Sequence, residues 1–261
     1  MGVALWLCPK ANTPLHDKLV TLTSSLSTLF PGQPPKIEPH VTVTSSISIN
    51  LDDPEKTKEE VYKILTASAT AIKSLPKNHC NLVTLGKVDS HRSYLKKLYF
   101  HVRRDPNLIS FATIIRELFV ILPQEIEHET MKKYPHLYTT NENGLIVRKK
   151  KGKHSVGKEV EPQDADLNLP SIQKVAQEKA SHWSQDEYDP HLSLVYSNLY
   201  PIDNALWRTI KTRIQDYLNI DHCDSDDLID NGLDWDNGVL KLVLCEGDVN
   251  DWVVLGSVDL H

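Results

Sequence analysis

The feature of this sequence that most constrains its fold is a six-residue pattern that occurs twice. Glu38–Val43 reads EPHVTV and Asp189–Leu194 reads DPHLSL, so each copy gives an acid, a proline, a histidine, an aliphatic residue, a hydroxyl residue and a second aliphatic residue. Proline cannot donate a hydrogen bond to a sheet, so it occurs at the first residue or the edge of a strand. It also drives the residue before it toward extended geometry. Each copy therefore predicts the start of a β-strand.

Residues two apart on a strand point to the same side of its sheet. His40 and Thr42 would therefore share one face, while the aliphatic residues on either side of Thr42 would share the other. His191 and Ser193 are related in the same way. The sequence thus predicts two strands that each bury aliphatic side chains and present a histidine and a hydroxyl to a cleft.

The elements around the two copies are repeated as well. The first half predicts strand, helix, histidine strand, helix and strand. The second half, from about residue 96, predicts strand, helix, an insertion, histidine strand, helix and strand, followed by one extra strand. Since internal repeats determine architecture, we predict an α+β fold with two pseudo-symmetric lobes. Each lobe would be an antiparallel sheet with flanking helices, and the candidate active-site cleft would lie between them.

Capping residues, prolines and apolar spacing place the individual elements. Helices are predicted to begin at Thr13-Pro14, at Asp53-Pro54 and at Asp105-Pro106, because a capping side chain followed by proline is a typical helix start. A further helix is predicted to begin near residue 201. Strands are predicted over residues 3–9, 36–47, 81–88, 97–102, 190–197, 239–245 and 252–258. Residues 1–261 are predicted to be one bilobal domain in which 123–187 is a partly flexible insertion with a helix around 171–181.

Bulk properties exclude several classes of protein. A 261-residue chain that is 40% hydrophobic and 25% charged is typical of a globular domain with a proper core. The net charge of −6 argues against non-specific binding to long nucleic acid, which needs a basic face. The four scattered cysteines predict free thiols. With neither a signal peptide nor an apolar run of about 20 residues, we expect a soluble, intracellular, cytoplasmic monomer without a membrane span. Peripheral association with an organelle stays open.

The residue types in the two copies suit acid–base chemistry at a phosphate. The ordinary histidine pKa of about 6.5 allows His40 and His191 to differ in protonation near neutral pH. The hydroxyls of Thr42 and Ser193 can donate hydrogen bonds to an oxyanion. Together these groups fit a phosphate diester that is attacked on one side and released on the other. The alternatives are two structural histidines, which a recurring hexapeptide makes less attractive, and a zinc site.

Other motifs are weaker. Zinc needs three or four ligands, and no third histidine joins His40 and His191 by spacing, so we predict no metal and no cofactor. Gly152–Lys158 has the spacing of a phosphate-binding glycine loop, but Glu159 replaces the required hydroxyl and no strand precedes it. The basic run 148–151 is typical of a solvated loop, and nuclear import or RNA steering stays open.

Two H-x-(T/S)-x strands on a duplicated framework resemble the 2H phosphoesterases. The opening GVALWLCP and the stretch HLSLVY at 191–196 are similar to the fungal cyclic nucleotide phosphodiesterases, over nearly the whole chain. The resemblance implies opening of a ribose cyclic phosphate by water without a metal. The implied substrates are small: ADP-ribose 1″,2″-cyclic phosphate, a by-product of tRNA splicing, and nucleoside 2′,3′-cyclic phosphates.

The resemblance also implies roles for single residues. His191 would be the base that activates water, and His40 the acid that protonates the leaving oxygen. Thr42 and Ser193 would bind phosphate oxygens. Tyr196 would be either a phosphate contact or a core residue, and Trp6 either stacks on a nucleobase or is buried. Two rival functions stay open: an enzyme acting on 2′-linked phosphates at RNA ends, and a non-catalytic nucleotide-binding protein of the same fold.

Overall fold

The computed structural model describes residues 2–76, 81–140, 146–149 and 167–260. Its strands are β1 (Gly2–Pro9), β2 (Val41–Ile47), β3 (Val83–Ser90), β4 (Leu98–Val102), β5 (Tyr138–Thr140), β6 (Ile146–Arg148), β7 (His191–Val195), β8 (Asp234–Trp235), β9 (Gly238–Cys245) and β10 (Val253–Asp259). Its α-helices are α1 (Pro14–Ser27), α2 (Pro54–Ser74), α3 (Pro106–Arg116), α4 (Leu122–Lys133), α5 (Leu169–Asp186) and α6 (Asn204–Leu218). The predicted α+β class is confirmed.

Eight of the strands form one antiparallel sheet in the order β10-β9-β1-β2-β7-β4-β3-β8, and β5 and β6 form a separate hairpin. The two histidine strands, β2 and β7, are neighbours near the middle of this sheet, where Val41 pairs with Leu192. Strands from both halves of the chain thus join a single sheet, so the predicted arrangement of two lobes with separate sheets is not confirmed. The predicted hairpin of β9 and β10 is confirmed.

The helix starts follow the predicted capping chemistry. The side chain of Thr13 accepts a hydrogen bond from the amide of His16 at 3.3 Å, and Asp105 accepts one from the amide of Asn107 at 2.8 Å. Asp53 caps α2 in the same way, with the proline at the first helical position. Each cap satisfies amide groups that have no partner inside the helix, which is why these starts could be located from sequence.

The histidine strands are shorter than predicted. β2 begins at Val41 rather than near residue 36, because Pro39 has no amide hydrogen to donate to a neighbouring strand. β7 begins at His191 and ends at Val195. Val41 and Leu192 are fully buried in the main core, which also contains Leu5, Leu7 and Phe100 from neighbouring strands. The aliphatic face of both histidine strands is therefore buried, as predicted.

Residues 122–133, predicted to lie in a loop-like insertion, form α4. Helices α3 and α4 are continuous through a π-helical turn at Glu117–Ile121. This turn accommodates Pro123, which has no amide to offer the carbonyl of Phe119. That carbonyl instead accepts from the amide of Ser48 at 3.2 Å. The position of 123–187 as an insertion stays a prediction, and Gly152–Lys158 lies outside the described residues.

The continuous helix Pro106–Lys133 is long and apolar enough to cross a membrane by length and composition alone. The sequence prediction missed this because it ended the helix before Pro123. Core helices pass the same test, and the face formed by Leu108, Phe111, Ala112 and Ile115 is buried against the sheet and its neighbours. The core therefore accounts for one face of this helix, whose most apolar stretch is 33% buried.

Candidate active site

His40 stands directly before β2, with 6% of its surface exposed. Its Nδ1 lies 2.7 Å from the carbonyl oxygen of Glu38. A carbonyl can only accept, so Nδ1 carries the hydrogen and Nε2 of the neutral ring is the free acceptor. Among the described residues, Nε2 has no protein hydrogen-bond partner.

His191, the first residue of β7, is held in the same way. Its Nδ1 lies 2.8 Å from the carbonyl oxygen of Asp189, two residues earlier. The same argument places the hydrogen on Nδ1 and leaves Nε2 free. The acid–proline–histidine pattern thus has a local function that the sequence did not reveal: the residue two positions before each histidine selects its tautomer.

The sheet brings the two histidines together. Because Val41 pairs with Leu192 in an antiparallel register, His40 falls opposite Ser193 and Thr42 falls opposite His191. Residues opposite one another in such a pair lie about 5 Å apart at Cβ and share a face. The two histidines and two hydroxyls predicted as site residues therefore lie on one side of one sheet, on two neighbouring strands.

The two hydroxyls differ in their partners. The hydroxyl of Ser193 donates to the carbonyl of Leu95 at 2.9 Å. Within the part of the chain that the structure describes, the hydroxyl of Thr42 has no partner, while the Thr42 carbonyl accepts from the hydroxyl of Tyr188 at 3.2 Å. In this structure, Thr42 is free to donate to a ligand, whereas Ser193 already has an acceptor.

Tyr196 is buried beside these groups. Its hydroxyl hydrogen-bonds the side chain of Ser193, whose own hydrogen is directed at Leu95. Burial raises the pKa of Tyr196 well above its ordinary value, so the phenol stays protonated. Its ring also approaches those of Tyr94 and Trp252, with centroids 6.0 and 6.2 Å away. A direct contact of Tyr196 with phosphate stays a prediction.

Trp6, on β1, stacks on His40 with ring centroids 3.7 Å apart and planes 10° apart. It is 7% exposed, and Trp252 approaches it at 5.9 Å. The described contacts therefore place Trp6 against a site histidine. Stacking on a nucleobase would have to use what remains of its surface, and that role stays a prediction.

The structure adds charged residues that spacing could not reveal. Lys241 pairs with Glu38 at 2.5 Å, and Lys96 pairs with Asp189. His101, on β4, is the cross-strand partner of His191 and approaches Asp89 at 3.3 Å. These residues come from β9, β4 and the helical turn Tyr94–Lys96, distant in sequence from both hexapeptides. Strand alternation could have indicated this side of the sheet for Lys241 and His101, but not for Lys96, which lies in the helical turn.

Burial shifts the protonation of both histidines toward the neutral form. It lowers the pKa of His40 to about 4, with His191 and Lys241 lowering it further and the carbonyl of Glu38 opposing the shift. Burial also lowers the pKa of His191, as do Lys96 and His101, against the carbonyl and carboxylate of Asp189. Both rings are therefore neutral near pH 7 in the free protein.

The described residues contain no group of three or more His, Cys, Asp or Glu that could hold a metal ion.

Two H-x-(T/S) strands lie side by side, and within the described ranges each histidine leaves Nε2 without a protein partner, which is the arrangement expected of a 2H phosphoesterase. The comparisons with known proteins agree: the chain belongs to the cyclic phosphodiesterase-like family, whose model matches residues 1–260. Its activity class is that of a cyclic phosphodiesterase. The resemblance noted from the two hexapeptides is thereby confirmed.

Individual relatives cover the chain almost completely. The 2′,3′-cyclic-nucleotide 3′-phosphodiesterase of Debaryomyces hansenii is 71% identical over 93% of this chain and 100% of its own length. The protein of the same name from Candida albicans is 58% identical, and that from Saccharomyces cerevisiae is 26% identical, each over 100% of both chains.

Proposed function

We propose that this protein hydrolyses ribose cyclic phosphates by a two-histidine mechanism that needs no metal. Its substrates are nucleoside 2′,3′-cyclic phosphates, which give 2′-phosphates, and ADP-ribose 1″,2″-cyclic phosphate, which gives ADP-ribose 1″-phosphate downstream of tRNA splicing. The observation that carries the proposal is the matched tautomer of His40 and His191 on neighbouring strands. The relatives' name, which specifies cleavage of the 3′ bond, supports the 2′-phosphate product.

The reaction is a displacement at phosphorus. Nε2 of the base removes a proton from water, and the water oxygen forms a bond to phosphorus. The bond from phosphorus to the ribose 3′ oxygen breaks, and Nε2–H of the acid protonates that oxygen. Thr42, with its free hydroxyl, stabilises the charge that develops on the other phosphate oxygens, and Ser193 joins it by turning its hydroxyl from the Leu95 carbonyl to the phosphate.

We assign His191 as the base and His40 as the acid. The acid must carry a proton at the start, and the anionic phosphate favours this by raising the pKa of a neighbouring imidazole. The pKa of His40 in the free protein is lowered from its ordinary value, which favours the reverse assignment. In this second candidate, His40 is the base and His191 is the acid. An activated diester with a p-nitrophenolate leaving group separates them, because it needs no acid. His40→Ala should retain turnover of this diester and His191→Ala should lose it; the opposite result reverses the roles.

The decisive experiment is turnover of a 2′,3′-cyclic nucleotide in excess chelator by the wild type, His40→Ala and His191→Ala, with the product isomer identified. We expect the wild type to form only the 2′-phosphate. Each variant should lose a factor of about 10²–10⁴ in rate. Activity abolished by the chelator would overturn the metal-free mechanism. Binding of both cyclic phosphates without turnover would instead indicate the non-catalytic nucleotide-binding protein.

We further propose that the protein is a cytoplasmic monomer that acts on small substrates. The net charge of −6 supports the preference for small substrates, because long nucleic acid is bound mainly through basic surfaces. Light scattering tests the monomer, and imaging of the tagged protein tests the compartment. Preference for an RNA end over a mononucleotide, with binding that weakens steeply as salt rises, would favour the RNA-end enzyme.

A further inference from the structure

Both site histidines are backed by the same three-part arrangement, built from different elements. Each ring donates to the carbonyl of the acidic residue two positions earlier. The carboxylate of that acidic residue then meets a lysine from elsewhere in the sheet: Glu38 meets Lys241 at 2.5 Å, and Asp189 meets Lys96. Only 22% and 19% of these lysine side chains are exposed, and of their partners 32% of the Glu38 side chain and 56% of the Asp189 side chain are exposed, so the Lys241 pair is the better shielded from solvent.

Each lysine also lies beside an aromatic residue that contacts one of the histidines. Lys241 is the cross-strand partner of Trp6, the residue that stacks on His40. The Lys96 ammonium lies 4.3 Å from the centre of the Tyr99 ring. The Tyr99 ring in turn meets the His191 ring edge-on, with ring centroids 5.5 Å apart. These contacts thus connect one lysine with each histidine.

We propose that Lys96 and Lys241 are a matched pair of positioning residues, each of which fixes the acid–proline–histidine segment of one site histidine and controls the protonation of that histidine alone. The inference deepens the proposed function, and only its kinetic part rests on that function. Because the tautomer depends on a backbone carbonyl, holding the acidic side chain in place keeps the carbonyl aligned with Nδ1.

The charges around the two rings support separate control. His191 is faced by Lys96, Asp189 and His101, while His40 is faced by Lys241 and by His191 itself. A nearby cation disfavours imidazolium, so each lysine lowers the pKa of its own histidine. Lys96 also keeps the pKa of Asp189 below its ordinary value, although burial alone would raise it. Removing a lysine therefore removes a cation and exposes an unpaired carboxylate, and both changes raise the pKa of one histidine.

The test is an NMR titration of the ring protons of the full chain, with His40→Asn and His191→Asn assigning the signals. We expect Lys96→Met to raise the pKa of His191 and leave that of His40 unchanged, and Lys241→Met to do the reverse. Lys96→Arg and Lys241→Arg, which keep the cation, should titrate as the wild type does. Lys211→Met is the control, since Lys211 on α6 pairs with Asp224 at 2.7 Å. This variant should change the pKa of neither histidine.

Kinetics provide the second readout. Each Met variant should reduce kcat/KM roughly tenfold, as loss of an outer partner of a functional histidine does, and should move one limb of the pH profile only. Lys96→Gln and Lys241→Gln, which keep a donor to the carboxylate, replace any Met variant that does not fold. Equal shifts of both histidines in each variant, or no shift in either, would overturn the inference. The predicted NMR pattern without turnover of any cyclic phosphate would uphold the lysine roles and refute the proposed function.

Discussion

The indole ring of Trp6 lies parallel to the imidazole of His40, with centroids 3.7 Å apart and planes 10° apart. Trp6 is the β1 partner of Thr42, so one tryptophan covers the histidine while its strand flanks the hydroxyl. Two effects of this stacking oppose each other. Covering the ring disfavours its charged form, whereas an aromatic face attracts a cation by about 0.5–2 kcal/mol. Burial is the largest influence on the pKa of His40 and lowers it to about 4, so we expect the cover by Trp6 to outweigh the aromatic attraction.

Removing the indole should therefore raise the pKa of His40. In Trp6→Ala, we expect the His40 signal to titrate closer to the ordinary histidine value of about 6.5, as measured by NMR of the free protein. Trp6→Phe keeps an aromatic cover and should stay nearer the wild type. A fall in the pKa of Trp6→Ala would mean that the cation–aromatic attraction dominates after all.

The unequal partners of the two hydroxyls predict different costs of removing them. Thr42→Val deletes a hydroxyl that has no partner in the described structure, so its thermal unfolding should match the wild type while kcat/KM falls by about 10²-fold. Ser193→Ala leaves the Leu95 carbonyl and the Tyr196 hydroxyl without their partner. Besides losing activity, it should lower the free energy of unfolding by about 1–2 kcal/mol. Calorimetry beside steady-state kinetics checks both, and equal stabilities would contradict the asymmetry.

The lowered pKa of His40 predicts a loss of stability in acid. The folded protein binds this proton only near pH 4, whereas the unfolded chain binds it near 6.5, so the unfolded state holds more protons between these values. Stability from this site is present above about pH 6.5 and is lost as the pH falls toward 4, by an amount on the order of 3 kcal/mol.

Replacing the ring should remove that loss. His40→Asn retains a donor for the Glu38 carbonyl but cannot titrate, so its denaturant-unfolding free energy should fall less between pH 6.5 and 4 than that of the wild type. His182→Asn is the matched control, because the His182 side chain is 72% exposed and pairs with Asp186 on the surface of α5. Parallel pH dependence of wild type and His40→Asn would refute the prediction.

Much of the site could be predicted because it depends on residue patterns within short stretches of the sequence. Strand alternation predicted that His40 shares a face with Thr42 and that His191 shares one with Ser193, and the capping residues located the helix starts. What could not be predicted depends on register between strands far apart in the chain. Lys241 reaches the site only because β9 pairs with β1, and the two histidine strands are neighbours only because Val41 meets Leu192. Short hexapeptides carry no information about such pairings.

The close approach of β9 to β1 predicts a glycine that cannot be replaced. A Cβ added at Gly238 would lie 2.3 Å from the carbonyl oxygen of Cys8, a backbone atom that cannot move without displacing the strand that carries Trp6. A Cβ added at Gly256 would meet only side chains, Cγ1 of Val61 at 2.6 Å and Cδ1 of Leu65 at 3.1 Å, so a small shift of α2 relieves the contact without separating two paired strands. Gly238→Ala should therefore lose about 3 kcal/mol of stability and Gly256→Ala about 1 kcal/mol. Denaturant unfolding of both variants measures this, and a smaller loss in Gly238→Ala would show that β1 and β9 separate easily.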